Sequence, residues 1–209
     1  QVSNLSTDQL NLLTADQISA LTTKQVGWMS SNQLSKLATS SLVELGTNQI
    51  AKLTTAQLNN LTTTQLSNLT QEQVLGLSSA QLRAFTDDNL AVINDAAFTG
   101  LSTKTIAGLT ASKITALTSD QTAALDSDQI LALKSNQIQA LEAEDLNAFE
   151  EGEINALTKK FIQALTSTQI NNLSSEQLQL LSADQIAYLT QDQVSNLSTD
   201  QLNLLTADQ

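Results

Sequence analysis

The chain has 209 residues, a formal net charge of −12, and no Cys, His or Pro. Without Cys or His it lacks the usual ligands of zinc, haem and iron–sulfur groups and the usual base of a serine triad. Its nine basic residues are scattered, which argues against a nucleic-acid partner because phosphate neutralisation needs clustered Lys and Arg. No apolar run approaches the roughly 20 residues of a membrane-spanning helix. We therefore expect no enzyme, no catalytic, cofactor or metal site, and no membrane insertion.

An eight-residue repeat begins at Leu5 and runs without insertion or deletion to Leu205: LSTDQLNL, LTADQISA, LTTKQVGW and onward. The first octad position is apolar in all 26 copies, and the sixth is apolar in 25 of 26, with Thr122 as the exception. The fifth position is Gln in 19 of 27 occurrences. This fixed phase predicts a single continuous repeat domain over residues 1–209.

Each octad carries the signals of a short capped helix. Ser or Thr at the second position is the predicted N-cap, and Gln three residues later completes a capping box. The apolar residues before the cap and after Gln then form a hydrophobic staple. Acidic side chains fall in first turns, where they meet the positive helix end: Asp8, Asp16, Glu72, Asp120, Asp184 and Asp192. Several eighth positions predict a left-handed helix end: Asn4, Asn60, Asn68, Asn172, Asn196, Gly76, Gly100 and Gly108.

The octad period favours an all-α solenoid of very short helices, one per repeat. In one continuous helix the apolar stripe would drift by about 80° per octad, so it would bury nothing consistently. In a strand, residues five apart point to opposite faces, which leaves a β-solenoid as the weaker alternative. Helices this short are marginal alone in water, so successive coils must stack to stabilise one another.

A second regularity links two distant segments. Residues 1–17 are identical to residues 193–209, an offset of 192 residues or 24 octads. We interpret residues 1–192 as one super-repeat and residues 193–209 as the start of the next, within a longer tandem array.

Local features of the octads suggest few binding sites. Thr pairs such as Thr22-Thr23, Thr54-Thr55 and Thr62-Thr63 raise an ice-binding face, but capping would engage the first Thr of each pair. Trp28 and Tyr188 occupy eighth positions, where we expect packing against a neighbouring coil or chain rather than a ligand cage. Residues 83–116 lose the fifth-position Gln, which fits either a partner-specific patch or drift in a spacer.

Two further patterns can be explained without a binding or modification site. The acidic cluster, which could supply calcium with oxygen ligands, lacks EF-hand spacing and is expected to be a solvated face: Glu142, Glu144, Asp145, Glu150, Glu151 and Glu153. Five Asn-Leu-Ser/Thr tripeptides match the glycosylation pattern, at Asn4, Asn60, Asn68, Asn172 and Asn196. They arise whenever the eighth position is Asn, so we interpret them as by-products of the repeat.

The octad L-[ST]-x-x-Q-[ILV]-x-x, as in LTTAQLNN and LTTTQLSN, resembles repeats of very large bacterial surface-exposed or secreted, adhesin-like proteins. The resemblance covers the whole chain and implies an extracellular or cell-surface location. It implies a structural fibre, filament or stalk whose partner is the protein itself, through end-to-end continuation or lateral association. The alternative is an adhesive module that recognises a glycan or protein on another surface. An enzyme is a distant third that would need carboxylate-only chemistry from the acidic cluster.

Overall fold

A computed structural model describes residues 2–209, and the chain forms two compact units, Gln1–Leu109 and Thr110–Gln209. Both units consist of short helices joined by turns, and residues 2–209 contain no strand. The prediction of an all-α solenoid is confirmed, and the β-solenoid alternative is wrong.

The helices follow the octads one by one. The first unit contains two 3₁₀ helices, Val2–Asn4 and Asp95–Gly100, and the helices α1 Thr7–Asn11, α2 Ala15–Ser19, α3 Thr23–Gly27, α4 Ser31–Ser35, α5 Thr39–Leu42, α6 Thr47–Ile50, α7 Thr55–Asn59, α8 Thr63–Ser67, α9 Gln71–Leu75, α10 Ser79–Ala84, α11 Asp87–Ala91 and α12 Thr103–Ala107. The second unit contains α13 Ala111–Thr115, α14 Ser119–Ala123, α15 Ser127–Leu131, α16 Ser135–Ile138, α17 Ala143–Asn147, α18 Glu151–Ala156, α19 Lys159–Ala164, α20 Ser167–Asn171, α21 Ser175–Leu180, α22 Ala183–Ala187, α23 Gln191–Ser195 and α24 Thr199–Leu204.

The capping box starts most of these helices, as predicted. In the octad of α8, the Gln65 amide donates to Thr62 Oγ1 at 3.2 Å, and the Thr62 amide donates to Gln65 Oε1 at 2.9 Å. Thr62 is extended, with φ −70° and ψ 157°, so its hydroxyl lies beneath the first turn. The six predicted acidic residues also lie in first turns, at Asp8, Asp16, Glu72, Asp120, Asp184 and Asp192.

The predicted left-handed helix ends are wrong, because no residue among 2–209 has a positive φ. Asn68 ends α8 with φ −100° and ψ 3°, and the Leu69 amide then donates to the Leu66 carbonyl at 3.2 Å. This tight turn leads directly into the next extended N-cap residue, so a left-handed residue is not needed. The correction applies to all eight positions: Asn4, Asn60, Asn68, Asn172, Asn196, Gly76, Gly100 and Gly108.

Glycine at the eighth position is instead required for space between coils. A Cβ on Gly76 would lie 2.5 Å from Thr47 Cγ2 and 2.9 Å from the Thr47 carbonyl oxygen. A Cβ on Gly108 would lie 2.6 Å from Ser79 Cβ. These glycines therefore permit a close approach between elements about 29 residues apart in the first unit.

Within each unit, helices three octads apart pack together. The pairs include α3–α6, α4–α7, α5–α8, α6–α9 and α7–α10 in the first unit, and α13–α16, α14–α17, α15–α18, α16–α19, α18–α21, α20–α23 and α21–α24 in the second. Hydrogen bonds join coils at offsets of 25, 28 and 31 residues. One turn of each solenoid therefore takes between three and four octads.

The core of each unit is a double row of apolar side chains. Sixth-position residues from Leu10 to Leu178 are all buried, and most first-position residues between Met29 and Leu181 are buried beside them. Each fully buried aliphatic side chain contributes about 2 kcal/mol. The first and sixth positions of each octad therefore supply the apolar surface that holds successive coils together.

We expect Thr62→Ala to lower the free energy of unfolding by about 1 kcal/mol, because the Gln65 amide loses its capping acceptor. Thr63→Ala is the matched control: Thr63 is exposed, lies one residue later at the start of α8, and should change stability by less than about 0.5 kcal/mol. Thermal and urea unfolding of the three proteins measures the difference. Equal effects of the two substitutions would contradict the capping role.

Candidate functional site

The contact between coils centres on the side-chain amide of the fifth-position Gln. Gln65 Nε2 donates to the carbonyl oxygens of Leu34 and Leu37, both at 2.8 Å, while its Oε1 accepts the Thr62 amide. The two carbonyls belong to the end of α4 and to the turn after it, where a helix leaves acceptors without intrahelical partners. One side chain thus caps the start of its own helix and the end of a helix in the coil before. The same two-carbonyl pattern recurs at Gln33, Gln73, Gln169, Gln177, Gln185 and Gln193.

From the sequence we expected the fifth-position Gln to act only in the capping box. Its hydrogen bonds to carbonyls of the preceding coil, which together form what we call the Gln ladder, were not predicted. The signal was present in the choice of residue at the fifth position. A capping box accepts Glu as readily as Gln, yet Glu153 is the only Glu among the 27 fifth positions and Gln occupies 19. Only the amide has N–H groups to donate to a carbonyl, so the excess of Gln indicates a donor role beyond capping.

Asparagine at the seventh position forms a second clamp between coils. Asn59 Nδ2 donates to the Ala84 carbonyl at 2.6 Å, and Asn59 Oδ1 accepts the Thr86 amide at 3.3 Å. Asn11 bridges Lys36 and Ala38 in the same way. The octad that Asn11 contacts has Ser41 at its fifth position in place of Gln, and the octad that Asn59 contacts has Asn89 there. At these two sites the clamp satisfies an N-cap amide whose own octad has no Gln acceptor. Asn147 makes the same contacts with Asn172 and Ser174, where the acceptor Gln177 is also present.

The identical segments 1–17 and 193–209 show which face each neighbouring coil covers. Val2 and Leu10 are 5% and 0% exposed, whereas the equivalent Val194 and Leu202 are 46% and 49% exposed. Gln33 donates to the Val2 carbonyl from the following coil, and no described coil follows residues 193–209. The same sequence is therefore buried or exposed according to whether a coil of the same repeat lies against it.

We expect Gln65→Glu to destabilise the first unit by about 3 kcal/mol, because a buried carboxylate would face two carbonyl oxygens without a donor. Gln9→Glu is the matched control, since Gln9 makes the same capping box but is exposed. A carboxylate in that first turn should be neutral or slightly stabilising. Thermal unfolding measures both variants, and equal losses would show that the ladder contributes nothing beyond capping.

Asp145 replaces the ladder Gln in the second unit and is buried at 4% exposure. Its Oδ2 accepts the Glu142 amide at 2.9 Å, as in a capping box, but an ionised carboxylate supplies no donor to the coil before. Burial raises the pKa of Asp145, and the negative charges of Glu142 and Glu144 raise it further. The Glu142 amide and the Thr122 hydroxyl lower the pKa, but the net shift is upward. Thr122, the one polar sixth-position residue, is buried, and its hydroxyl makes no hydrogen bond of standard geometry among the described residues. These two departures from the octad pattern therefore lie opposite each other.

We expect Asp145→Gln to stabilise the second unit at pH 7 by about 1–2 kcal/mol, because the amide regains donors toward the preceding coil. Protonated Asp145 stabilises the fold below its unfolded pKa of 3.8, and this contribution is lost as the pH rises through the raised folded pKa. The stability difference between variant and wild type should therefore narrow as the pH falls toward 3.8. Unfolding curves from pH 3.5 to 7 measure it, with exposed Glu144→Gln as the control. A difference independent of pH would contradict the assignment.

The remaining acidic cluster is only partly the solvated face predicted from the sequence. Glu142, Glu144, Glu150 and Glu151 are exposed, Glu153 is half-buried, and the prediction is wrong for buried Asp145. Glu153 Oε2 accepts the Glu150 amide at 3.2 Å, so it too replaces Gln in a capping box. No group of three or more potential metal ligands occurs among residues 2–209. None of those residues belongs to a helix long and apolar enough to span a bilayer.

The Thr pairs and the glycosylation-like tripeptides are largely absorbed by helix capping. Thr22, Thr54 and Thr62 each accept a Gln amide, as predicted, so the first Thr of each pair does not present a free hydroxyl array. Asn60 and Asn68 are exposed, and their Nδ2 atoms donate to the Ala56 and Thr64 carbonyls at 2.8 Å. Both ends of these tripeptides therefore have structural partners in the folded chain.

The two eighth-position aromatic residues differ in their surroundings. Tyr188 is half-buried, whereas Trp28 is 56% exposed. The expected packing of Trp28 against a neighbouring coil or chain stays a prediction. The degenerate stretch 83–116 contains the boundary between the two units, at Leu109–Thr110. Whether that stretch binds a partner stays a prediction.

Octads, capping boxes and coil-to-coil hydrogen bonds together define the class of this chain: an all-helical tandem-repeat protein built of short helices. Residues 162–191, which contain α20, α21 and α22, match the family described as the ALTTAQ repeat. The match covers 30 of the 209 residues, and its name reproduces the Leu-Thr-x-x-Gln core of the octad. No curated protein matches the chain significantly.

Proposed function

We propose that this chain is a structural, non-enzymatic segment of an extracellular bacterial fibre, filament or stalk, requiring no cofactor. The observation that carries the proposal is the Gln ladder, in which each coil caps helix ends of the coil before it and has its own helix ends capped by the coil after it. Gln65 and Gln169 make the same two-carbonyl contact in different units. A contact that recurs along both units permits extension without a change of interface, which is the property a stalk requires.

The partner we propose is the repeat itself, by end-to-end continuation or lateral association. The support is the pair of identical segments, residues 1–17 and 193–209, because a coil that packs on the first segment also matches the second. A coil like the one that covers residues 2–10 has the shape and donors to cover residues 194–202. The extracellular location is supported by the resemblance of the octad to repeats of bacterial surface proteins. Protease treatment of intact source cells, followed by detection of the repeat, tests that location.

A second candidate function is an adhesive module that recognises a glycan or protein on another surface. One observation favours it, namely the exposed indole of Trp28 on an otherwise polar face. The two functions are compatible, since a stalk can carry a binding site on its side.

We expect that adding residues 18–49 again after Gln209 raises the melting temperature of the second unit, because the added coil covers Val194 and Leu202. Hydrogen exchange should show new protection between residues 186 and 205. The control extension carries Glu at every fifth position, which removes the ladder donors and keeps the apolar residues. Equal stabilisation by both extensions would contradict a ladder-directed interface.

For the stalk itself, chains with one, two and three tandem copies of residues 1–192 should appear in electron micrographs as regular rods whose length rises linearly with copy number. Copies in which every fifth-position Gln is changed to Glu provide the control and should not form them. Compact particles from the unaltered tandem chains would overturn the proposal.

A further inference from the structure

A shallow depression on the first unit combines an exposed aromatic ring with two ammonium groups. It is lined by Thr23, Lys24, Gly27, Trp28 and Lys52. Lys24 lies in α3, four residues before Trp28, the C-cap residue of that helix. Lys52 follows α6, the helix that packs on α3 from the next coil. The repeat therefore places both lysines beside the only Trp of the chain.

Both lysines are available for an external anion. Lys24 and Lys52 are exposed, and neither makes an ion pair with any residue from 2 to 209. No carboxylate lines the depression, although the chain has 21 acidic residues. At physiological ionic strength the more distant acidic residues are screened over about 8 Å, so the local charge is positive.

The indole offers an open flat surface rather than a core contact. Trp28 is 56% exposed, and a Cβ on the neighbouring Gly27 would meet no atom within 4 Å. The negatively polarised face of an indole attracts the C–H groups on the apolar face of a sugar ring. Two ammonium groups at its edge match a carboxylate carried by the same sugar chain.

From this arrangement we propose that Trp28, Lys24 and Lys52 bind an acidic polysaccharide, with the indole stacked on a sugar ring and the lysines on its carboxylates. An acidic peptide fits less well. The region has no strand edge to pair with a peptide backbone, and the Thr22 and Gln25 amides at the start of α3 are taken up by capping. The inference rests on the second candidate function and gives it a site and a ligand class.

Titration of the intact chain with alginate, a carboxylated polysaccharide, tests the site directly, since the only Trp reports its own occupancy by fluorescence. We expect a saturable change in Trp28 emission with alginate, weakened by added salt, and none with neutral dextran. Dextran sulfate distinguishes carboxylate recognition from general anion binding, and polyglutamate distinguishes a sugar from an acidic peptide. Stronger binding of either polyanion than of alginate would overturn the assignment.

Variants locate the binding by calorimetry. We expect Trp28→Ala to weaken alginate binding by about tenfold or more, and Lys24→Gln or Lys52→Gln by about threefold each. Lys104→Gln is the matched control, because exposed Lys104 holds the same octad position as Lys24. Gly27→Gln should fill the depression and abolish binding, whereas Gly152→Gln, at another glycine with open space, should not.

The outcomes separate this inference from the structural proposal. Unchanged alginate affinity in Trp28→Ala, or an equal loss in Lys104→Gln, would overturn the binding site. Neither result affects rod formation by tandem copies, which depends on the ladder and not on the depression. Melting temperatures equal to wild type would show that a loss of binding is not a loss of fold.

Discussion

The structure depends on the side-chain amide of the fifth-position Gln, which forms hydrogen bonds both within its own octad and with the coil before. The oxygen of the fifth-position Gln accepts the N-cap amide of its own helix, and the nitrogen donates to two carbonyls of the coil before, as at Gln65. A helix of five residues leaves nearly all its backbone groups without intrahelical partners. The capping box satisfies the amides at one end, and the ladder satisfies carbonyls at the other. Short helices that would not persist alone are therefore stable as a stack.

Departures from the octad are compensated by neighbouring coils. Where Ser41 or Asn89 replaces Gln, the clamp residues Asn11 and Asn59 supply the missing acceptor from one coil away. Where Asp145 replaces Gln, polar Thr122 lies opposite it in place of the usual aliphatic residue. The solenoid brings residues that are 23 to 31 positions apart in the sequence into contact. A substitution in one octad therefore changes the surroundings of a residue about one turn away. At Ser41, Asn89 and Asp145 a departure from the consensus is therefore matched by a polar residue about one turn away.

Regularity along the chain also decides where a distinct surface can arise. First and sixth positions are committed to the core and fifth positions to the ladder, which leaves the fourth position, and the eighth position wherever no glycine is needed between coils, free to vary. Lys24 at a fourth position and Trp28 and Lys52 at eighth positions use this freedom. A structural repeat can therefore carry a recognition site without altering the contacts that hold its coils together.

The helices follow from the amino-acid sequence alone, because capping is local: Thr62 and Gln65 are three residues apart, and their reciprocal bonds need no other part of the chain. The sequence also predicts the two buried rows, because the apolar first and sixth positions recur once in every octad and therefore once with every helix. Tertiary structure alone decided the number of octads per turn and the pairing of Gln65 with Leu34 and Leu37, because these depend on how helices stack rather than on any one octad. It also decided the opposite burial of Leu10 and Leu202 in identical segments, since only a neighbouring coil removes either residue from water.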